Sequence, residues 1–415
     1  MIEWFFILPW TLWVIEAVAS LANVKGFFRE AEEQDRRWAP GLERNRQRQA
    51  AVIVAIKGVD PDNTPRFFEA LRSQDYRRYR LILAMESEDD PIASWLKRTL
   101  ELDEGCFTWE SGKEEGLTEI ELVVAGHAQT RGQKVHNQMA AFERLRPEDE
   151  IVAFADADIH CGPDWLARLL APINTGTNPV ATTYRYLIPK RPSFVNHVAS
   201  VINASVATLG GPDRWSSLWG GSMAIARRDF DALDVPHLFS GSLNDDLRLG
   251  RAARRSGRRV AFVRSLLMPS PVDFSWASFF EFGRRQYYQV RHFAPIFYKV
   301  SHLLTWVYTI GFASAISVIL FNHSKVAWGV LGVVFCCDQL RAWQRWQIVR
   351  HLFDASAVEA LRGSRWIEHL LTPFWMGLHA LITTSAWFAD HIHWAGIGYR
   401  VHAEDRTEVM GRAGE

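Results

Sequence analysis

Two aspartates one residue apart, Asp156 and Asp158, directly follow the apolar run Ile151–Ala155. Such a run predicts a buried strand, and α/β sheets bind their ligands at the carboxyl ends of these strands. Two carboxylates at this spacing can share a hard divalent cation, which most often neutralises a nucleotide diphosphate. The pair therefore indicates a nucleotide-sugar site in which both aspartates bind the donor and the metal. A plain turn is the alternative, because turns are rich in aspartate.

A second acidic pair, Asp245 and Asp246, opens a predicted helix that continues through Arg251 and Arg255. Helix capping would explain it, because an aspartate at a helix start accepts hydrogen bonds from free amide groups. Inverting sugar transfer, however, requires a carboxylate that removes the proton of the acceptor hydroxyl as the sugar carbon is attacked. We therefore assign Asp246 as the candidate catalytic base, with Asp245 beside it in the catalytic site.

Polar side chains also follow the first two predicted strands of the chain. Others begin the predicted helix that precedes the strand Ile151–Ala155. An acidic group there can accept hydrogen bonds from uracil and ribose, and a lysine can reach a phosphate. The predicted donor-binding residues of these segments are Lys57, Asp60, Glu86, Glu88, Asp90 and Lys134. Two alternatives are open: the acids before Pro91 can cap a helix, and Lys134 can be an ordinary solvated lysine.

Two adjacent glycines precede a later strand-like run. Glycine permits backbone to lie close to a ligand, so this segment predicts the acceptor side of the site, with a tight turn as the alternative. The predicted acceptor-side residues here are Trp219, Gly220, Gly221 and Ser222.

The segment Phe282–Phe293 mixes cations with aromatic side chains just before a long apolar stretch. Guanidinium groups can stabilise a departing diphosphate, and an interfacial helix with snorkelling side chains is the alternative. The segment supplies the donor-binding candidates Arg284, Arg285 and Gln286 and the acceptor-side candidate Tyr287.

Between residues 50 and 156, short β-branched runs alternate with helical stretches. This rhythm predicts a parallel sheet with helices on both faces and ligands beyond the carboxyl ends of its strands. The predicted strands are Ala51–Ile56, Arg80–Ala84, Ile120–Ala125 and Ile151–Ala155, and the predicted helices are Pro65–Ser73, Pro91–Leu102 and Gln133–Leu145.

Apolar stretches of membrane-spanning length lie at both ends of the chain. Trp4–Ala22 is followed by basic residues and predicts a retained anchor with a cytoplasmic basic flank, a secretory signal being the alternative. Near the other end, His302–Phe321, Ala327–Trp343 and His369–Ala389 are apolar and aromatic. Buried helices of a large soluble protein are the alternative for these three, but the 18 tryptophans favour membrane interfaces.

Composition narrows the classes of partner. The formal net charge is +0, so an acidic polymer such as nucleic acid is not an expected ligand. The four cysteines have no metal-binding spacing, which indicates structural thiols in a reducing compartment.

In the order of its motifs, the chain resembles the membrane-bound inverting glycosyltransferases of the family 2 and family 21 type, most closely the ceramide glucosyltransferases. The resemblance spans nearly the whole chain and combines six segments, each modest alone. These are Lys57–Pro61, Glu88–Pro91, Asp156 with Pro163-Asp164, Gly221–Met223, Asp245-Asp246 and Ile392–Arg400.

The resemblance implies a GT-A fold, that is, a Rossmann-like mixed α/β sheet on the cytoplasmic face of the bilayer between N-terminal and C-terminal transmembrane helices. It implies a nucleotide sugar such as UDP-glucose, Mg²⁺ or Mn²⁺, and a ceramide-like membrane lipid acceptor, as in sphingolipid and glycolipid synthesis. On this basis we expect an anchor over 1–24, a catalytic domain over 25–295, a membrane region of two to four segments over 296–392, and a tail over 393–415.

One departure from the family pattern affects the expected product. The family has Gln or Arg, two residues, and then Arg-Trp, whereas this chain has Arg284-Arg-Gln-Tyr287-Tyr288. Either Arg284 or Arg285 opens the motif, and the missing Arg-Trp argues against processive polymerisation. A polysaccharide synthase and a non-catalytic membrane scaffold remain the alternative interpretations.

Overall fold

The computed structural model describes residues 3–209 and 217–412, which form two compact bodies. The helical body contains residues 3–32, 186–209 and 271–389, and the α/β body contains residues 33–185, 217–270 and 390–412.

The helices in chain order are α1 Glu3–Trp38, α2 Asn63–Arg72, α3 Pro91–Thr99, α4 Gln133–Phe142, α5 Trp165–Asn174, α6 Phe194–Ala207, α7 Arg227–Ala232, α8 Val235–Phe239, α9 Asp246–Arg255, α10 Trp276–Phe293, α11 Pro295–Asn322, α12 Lys325–Leu352, α13 Ala355–Ala360, α14 Arg362–Leu370 and α15 Thr372–Trp387. The strands are β1 Ala50–Ala55, β2 Arg78–Met85, β3 Thr108–Glu110, β4 Gly116–Val124, β5 Ile151–Asp156, β6 Val180–Thr182, β7 Arg185–Pro189, β8 Ser222–Ala226, β9 Val260–Phe262, β10 Met268–Val272, β11 Ile392–Trp394, β12 Ile397–Ala403 and β13 Arg406–Arg412.

The α/β body is built on an eight-stranded mixed sheet with the order β3-β4-β2-β1-β5-β8-β6-β9. Strands β4, β2, β1 and β5 are mutually parallel, and β8 runs antiparallel to both of its neighbours, β5 and β6. The carboxyl ends of the parallel strands therefore share one edge with the beginning of β8. A mixed α/β sheet of the Rossmann-like kind is the predicted fold class, and it is confirmed.

Alternate residues of the central strands point into two separate hydrophobic cores. Val52 and Val54 of β1 pack in one core, and Ile53 packs in the other. Because helices cover both faces, the strands are apolar throughout instead of alternating with polar residues. The whole of β5 up to Ala155 is buried, so Asp156 is its first residue with solvent access.

For the strands and helices predicted between residues 50 and 156, most boundaries lie within three residues of the observed ones. The exception there is β4, which begins at Gly116 and not at Ile120. Its first residues, Gly-Leu-Thr-Glu, are mostly polar, and a register shift relative to β2 occurs in this part of the ladder. A polar, irregular strand start lacks the apolar run on which the prediction rested.

Within the described residues, three helices are long and apolar enough to cross a membrane, namely Phe5–Leu42 with its short 3₁₀ extension, Pro295–Asn322 and Lys325–Leu352. These helices are typical of a membrane protein. The first pairs closely with α11, since a Cβ on Gly311 would lie 2.6 Å from the Trp13 ring. Close approach of this kind is the usual role of small residues between membrane helices.

The apolar stretch His369–Ala389, in which Pro373 is an interruption visible in the sequence, does not form one continuous helix. Helix α14 ends at Leu370, and α15 begins at Thr372 with Pro373 in its first turn. Proline has no N–H to continue a preceding helix but fits the first turn of a new one. The remaining α15 has 16 residues, which spans only about 24 Å.

Two pairs of oppositely charged side chains are buried in the helical body. The Tyr308 hydroxyl donates to Asp338 at 2.6 Å, and Asp338 lies 2.7 Å from Arg341. Arg345 pairs with Glu368, and both are buried. Pairing offsets the large cost of placing a single charge in a low-dielectric environment.

The last residues form a three-stranded antiparallel sheet, β11-β12-β13, which belongs to the α/β body. Ile392, Ile397 and Tyr399 are buried there. Residues 393–412 of the segment expected as a tail therefore belong to the body that carries the eight-stranded sheet.

Candidate active site

A largely buried lysine joins two of the predicted aspartates at the carboxyl edge of the sheet. The Lys134 ammonium lies 2.7 Å from Asp156 Oδ1 and 2.9 Å from Asp245 Oδ2. Burial disfavours the ammonium, but the charges of Asp156, Asp245 and Asp246 outweigh it and hold the pKa of Lys134 above its usual value. Lys134 is therefore the charged centre of the cluster and not a solvated surface lysine.

The strand pairing explains why residues so distant in sequence meet. Because β8 runs antiparallel to β5, Ala155 is paired with Ser222, and the Asp156 N–H donates to the Gly221 carbonyl at 3.2 Å. The chain just before β8 is thereby brought to the end of β5. Helix α4 begins one residue before Lys134, so that lysine reaches the same edge.

Asp245 is held by hydrogen bonds that have no capping function. It makes no side-chain capping bond to α9 and instead accepts from Gln138 Nε2 at 2.8 Å in addition to binding Lys134. The Asn244 side chain accepts from the Leu247 N–H at 2.8 Å at the start of this helix. Burial alone would raise the pKa of Asp245, but Lys134 and Gln138 lower it, so this carboxyl is ionised.

Asp246 has a different environment from its neighbour. Its Oδ2 accepts from the Gly220 N–H at 2.7 Å, and its Oδ1 accepts from the Leu247 N–H at 2.6 Å. Burial and the charge of Asp245 raise the pKa of Asp246 to about 6, against the opposing effects of Lys134 and the two amides. Two adjacent carboxyls with pKa values moved in opposite directions are typical of sites with acid–base chemistry.

Arg185 lies beside the Asp156 and Asp158 pair. One guanidinium nitrogen is 3.9 Å from Asp156 Oδ2, and the other is 3.9 Å from Asp158 Oδ2. The guanidinium also stacks over the Trp219 ring at 5.0 Å, which fixes its orientation. The edge of the sheet thus combines two carboxylates with a positioned arginine.

The predicted acceptor-side residues around the double glycine are tightly packed. A Cβ on Gly221 would lie 2.1 Å from the Trp219 ring, and a Cβ on Gly220 would lie 2.9 Å from both Asp245 Oδ2 and Lys134 Nζ. A side chain at Gly221 would clash with the rigid Trp219 ring, and one at Gly220 would force the ends of the Asp245 and Lys134 side chains to move, so the crowding comes from the protein itself. Ser222 is fully buried and accepts from Trp165 Nε1 at 2.9 Å.

The predicted donor-binding acids after the first two strands have local partners. Asp60 Oδ1 accepts from the backbone amides of Asp62 and Asn63. Asp90 caps α3 and also accepts from the Gly58 N–H at 2.8 Å, which ties the two strand-end loops together. Glu88 pairs with Lys97 at 3.3 Å on the surface.

Glu86 connects the end of β2 to the C-terminal sheet. It lies 2.7 Å from Lys57 Nζ and 3.1 Å from Arg412, and Arg412 also donates to the Gln133 side chain at 2.6 Å. Burial alone would raise the pKa of Glu86, but these two cations lower it. The Tyr399 hydroxyl accepts from the Gln133 N–H at 3.2 Å, so strands β12 and β13 border this side of the edge.

The donor atoms at the edge fit a hard divalent cation that arrives with a diphosphate. Asp158 is 62% exposed, and Asp156 Oδ2 is on the side away from Lys134. Across residues 3–209 and 217–412, no group of three His, Cys, Asp or Glu side chains could hold a metal alone. Water and phosphate oxygens would have to complete the coordination shell, as is usual for Mg²⁺.

The model of glycosyl transferase family 21 matches residues 12–407, which is almost the entire chain. The chain belongs to glycosyl transferase family 21. Its activity class is therefore sugar transfer, in agreement with the acidic cluster at the sheet edge. No curated protein matches this family 21 chain.

Solved structures that align with this family 21 chain have low sequence identity. S. aureus TarS 1–349 in complex with UDP-GlcNAc aligns with 9% identity and a TM-score of 0.36, over 88% of this chain and 99% of that one. GalNAc-T7 with UDP, GalNAc and Mn²⁺ aligns with 11% identity and a TM-score of 0.36, over 57% of this chain and 48% of that one. The family assignment rests on the sequence model alone.

The remaining predicted residues lie on α10 in the helical body. Arg285 stacks over the Phe282 ring at 5.6 Å, and the Tyr287 hydroxyl hydrogen-bonds His379 of α15. Arg284 and Gln286 are partly exposed on the same helix. The donor-binding role of Arg284, Arg285 and Gln286 and the acceptor role of Tyr287 stay predictions for this family 21 chain.

Three residues at the edge, Gln138, Arg185 and Arg412, were not predicted from the sequence. Gln138 follows Lys134 by four residues on α4, so the helical spacing places it on the same face as that lysine. Arg185 is a single cation in the apolar and aromatic run Val180–Ile188, where a charge needs a partner. The signals for Gln138 and Arg185 are visible in the sequence once α4 and β7 are known.

Proposed function

We propose that this chain transfers glucose from UDP-glucose to a hydroxyl group of a ceramide-like membrane lipid, with inversion at the anomeric carbon. The cluster of Lys134 with Asp156, Asp245 and Asp246 is the observation that carries the proposal. At one edge of the sheet it combines the ionised Asp245, Asp246 with a pKa of about 6, and the donor-side carboxylate of Asp156. The three helices of membrane-spanning length support an acceptor drawn from the bilayer.

In the proposed reaction, Asp246 accepts the proton of the acceptor hydroxyl while that oxygen attacks the anomeric carbon. The bond between that carbon and the diphosphate oxygen breaks, and UDP leaves with both bonding electrons. Lys134 keeps Asp245 ionised and in place, and the Asp245 charge keeps the proton affinity of Asp246 high enough for a base. A single displacement of this kind inverts the configuration.

On the donor side, we propose that Asp156 and Asp158 bind the diphosphate through Mg²⁺ or Mn²⁺, and that Lys57, Asp60 and the segment 86–90 border the uridine. When bound, the cation would neutralise charge on the leaving diphosphate. Arg185, oriented by the Trp219 ring, would add a direct guanidinium contact to the same phosphate oxygens.

The pH dependence of the rate follows from the state of Asp246. A base must be ionised, and the pKa of Asp246 is raised to about 6, so the proportion of active enzyme falls as the pH drops through that value. We expect kcat to be constant above about pH 7 and to fall about tenfold per pH unit below about pH 5. Initial rates measured from below about pH 5 to above about pH 7 check this prediction. A rate that does not change with pH over this range would contradict the assignment of Asp246 as the base.

The substrates are tested with purified full-length protein in detergent. We expect UDP-glucose, ceramide and Mn²⁺ together to give a lipid heavier by one hexose in mass spectra, with much less product after chelation of the metal. UDP-galactose, UDP-GlcNAc, diacylglycerol and total membrane lipid are the matched alternatives. A high-mass carbohydrate without a modified lipid would instead support a polysaccharide synthase and contradict the proposal.

A further inference from the structure

The helical body carries a cavity of about 470 Å³ that is lined by three arginines, two tryptophans and one valine: Trp346, Arg350, Val358, Arg362, Arg365 and Trp366. No aspartate or glutamate is among these lining residues. Three guanidinium groups around one space repel one another unless an anion lies between them. The lining therefore favours an anionic ligand with an apolar part.

The arginines are arranged so that their N–H groups can reach such a ligand. The Arg365 guanidinium stacks 5.2 Å from the Trp346 ring and 5.7 Å from the Trp366 ring, which fixes its plane and leaves its edge for hydrogen bonds. Arg362 pairs with Glu359 at 2.9 Å, but both side chains are more than 60% exposed. An exposed pair of this kind contributes little, so a phosphate can replace it.

The position of the cavity along α12 corresponds to the depth of lipid headgroups. This helix has 28 residues, a length of about 42 Å, whereas the hydrocarbon core of a bilayer is about 30 Å thick. Trp346 and Arg350 lie in its last two turns, at the end that extends beyond the hydrocarbon. Tryptophan and arginine are the side chains typical of this interfacial depth.

Helix α14 adds an apolar surface beside the arginines. Arg362, Trp366 and Leu370 follow each other at intervals of four, so they share one face of the helix. Trp366 is 60% exposed and Leu370 is 67% exposed. A short helix with this pattern lies in the membrane interface with its arginine at the headgroups and its apolar side chains deeper.

We propose that this cavity binds the phosphate group of an anionic phospholipid. The guanidinium groups of Arg350, Arg362 and Arg365 bind the phosphate oxygens, and the exposed face of α14 contacts the acyl chains. A free phosphate ion would use only the first of these two surfaces, and this favours the lipid. None of the residues that line this cavity is among those assigned to sugar transfer.

The proposal is tested by measuring lipid binding to the full-length protein in mild detergent by native mass spectrometry. The wild-type protein and the double variant Arg350→Gln/Arg362→Gln are titrated with phosphatidylglycerol and with phosphatidylcholine of the same acyl chains. We expect the double variant to bind phosphatidylglycerol at least about tenfold more weakly and to bind phosphatidylcholine as the wild type does. Both side chains are exposed, so the melting temperature should not change.

A matched control is the double variant Arg255→Gln/Arg259→Gln, which removes two exposed arginines from the α/β body. It should bind phosphatidylglycerol like the wild type. If the Arg350→Gln/Arg362→Gln protein bound phosphatidylglycerol as tightly as the wild type does, the proposed lipid site would be wrong. If inorganic phosphate in about hundredfold excess displaced the lipid, the cavity would be a site for a free anion, and the proposal that its ligand is a phospholipid would be wrong. If the double variant is unstable, Arg350→Gln alone gives the same test.

Discussion

The substitution Asp246→Asn is expected to reduce kcat for sugar transfer by about 10²- to 10⁴-fold. Asparagine has the same shape and still accepts a backbone hydrogen bond, but it cannot take the proton from the acceptor hydroxyl. The KM for the nucleotide sugar should change little, because this side chain binds backbone amides and not the donor. Steady-state rates with varied donor and saturating lipid measure both quantities.

Asp234→Asn is the matched control for this prediction. Asp234 also stands at a helix start in the α/β body, where it caps α8 with its side chain. Asparagine caps helices as well as aspartate does, so this variant should retain full activity. If both variants were equally active, Asp246 would be only a helix-opening residue and the proposed base would be wrong.

The substitution Lys134→Met is expected to lower the free energy of unfolding by about 3–5 kcal/mol, because it leaves buried carboxylates without their cation. The lysine is 15% exposed and Asp245 only 4%, so water replaces little of the lost interaction. Lys134 lowers the pKa of Asp245, and this stabilising contribution is present above the carboxyl's unfolded pKa and lost as the pH falls. The defect measured by denaturant unfolding should therefore shrink in acid.

The same variant should also shift the pH dependence of any remaining activity. The charge of Lys134 lowers the pKa of Asp246, so its removal moves the acidic limb of the profile to higher pH. Lys97→Met is the matched control, because Lys97 pairs with the exposed Glu88 and should cost less than about 1 kcal/mol. Equal effects of the two substitutions on stability, or an unchanged acidic limb, would contradict the central role of Lys134.

Periodicity was sufficient to predict the parallel half of the sheet. The runs that became β1, β2 and β5 are buried on both faces, so they read as continuous apolar segments with helices between them. Because the carboxyl ends of parallel strands share an edge, the strand order also predicted where Asp156 and Asp158 would lie. The run that became β8 was recognised only as strand-like, and β6 and β9 carry no comparable signal, since each has three residues.

The internal pairing of the site could not be predicted. Lys134 and Asp245 are more than a hundred residues apart, and only the antiparallel β8 and the start of α9 bring them together. For the same reason the sequence did not indicate that Arg412 would pair with Glu86. Long-range ion pairs depend on the tertiary arrangement of elements and leave no local pattern.

The helices of the membrane region were predicted by hydropathy, but their limits were not. Pro373 marks the interruption of the last apolar stretch in the sequence, but hydropathy alone does not show that a separate helix, α15, begins there. The basic cavity beside α14 was likewise hidden, because Arg350 and Arg365 belong to separate helices that only packing brings together.

The most direct test of the account is the configuration of the sugar in the lipid product. Proton NMR of the purified glycolipid made from UDP-α-glucose distinguishes the two anomers. A single displacement assisted by Asp246 predicts the β-anomer as the only product. The α-anomer would require a second displacement by a nucleophile on the protein, and it would contradict the proposed mechanism.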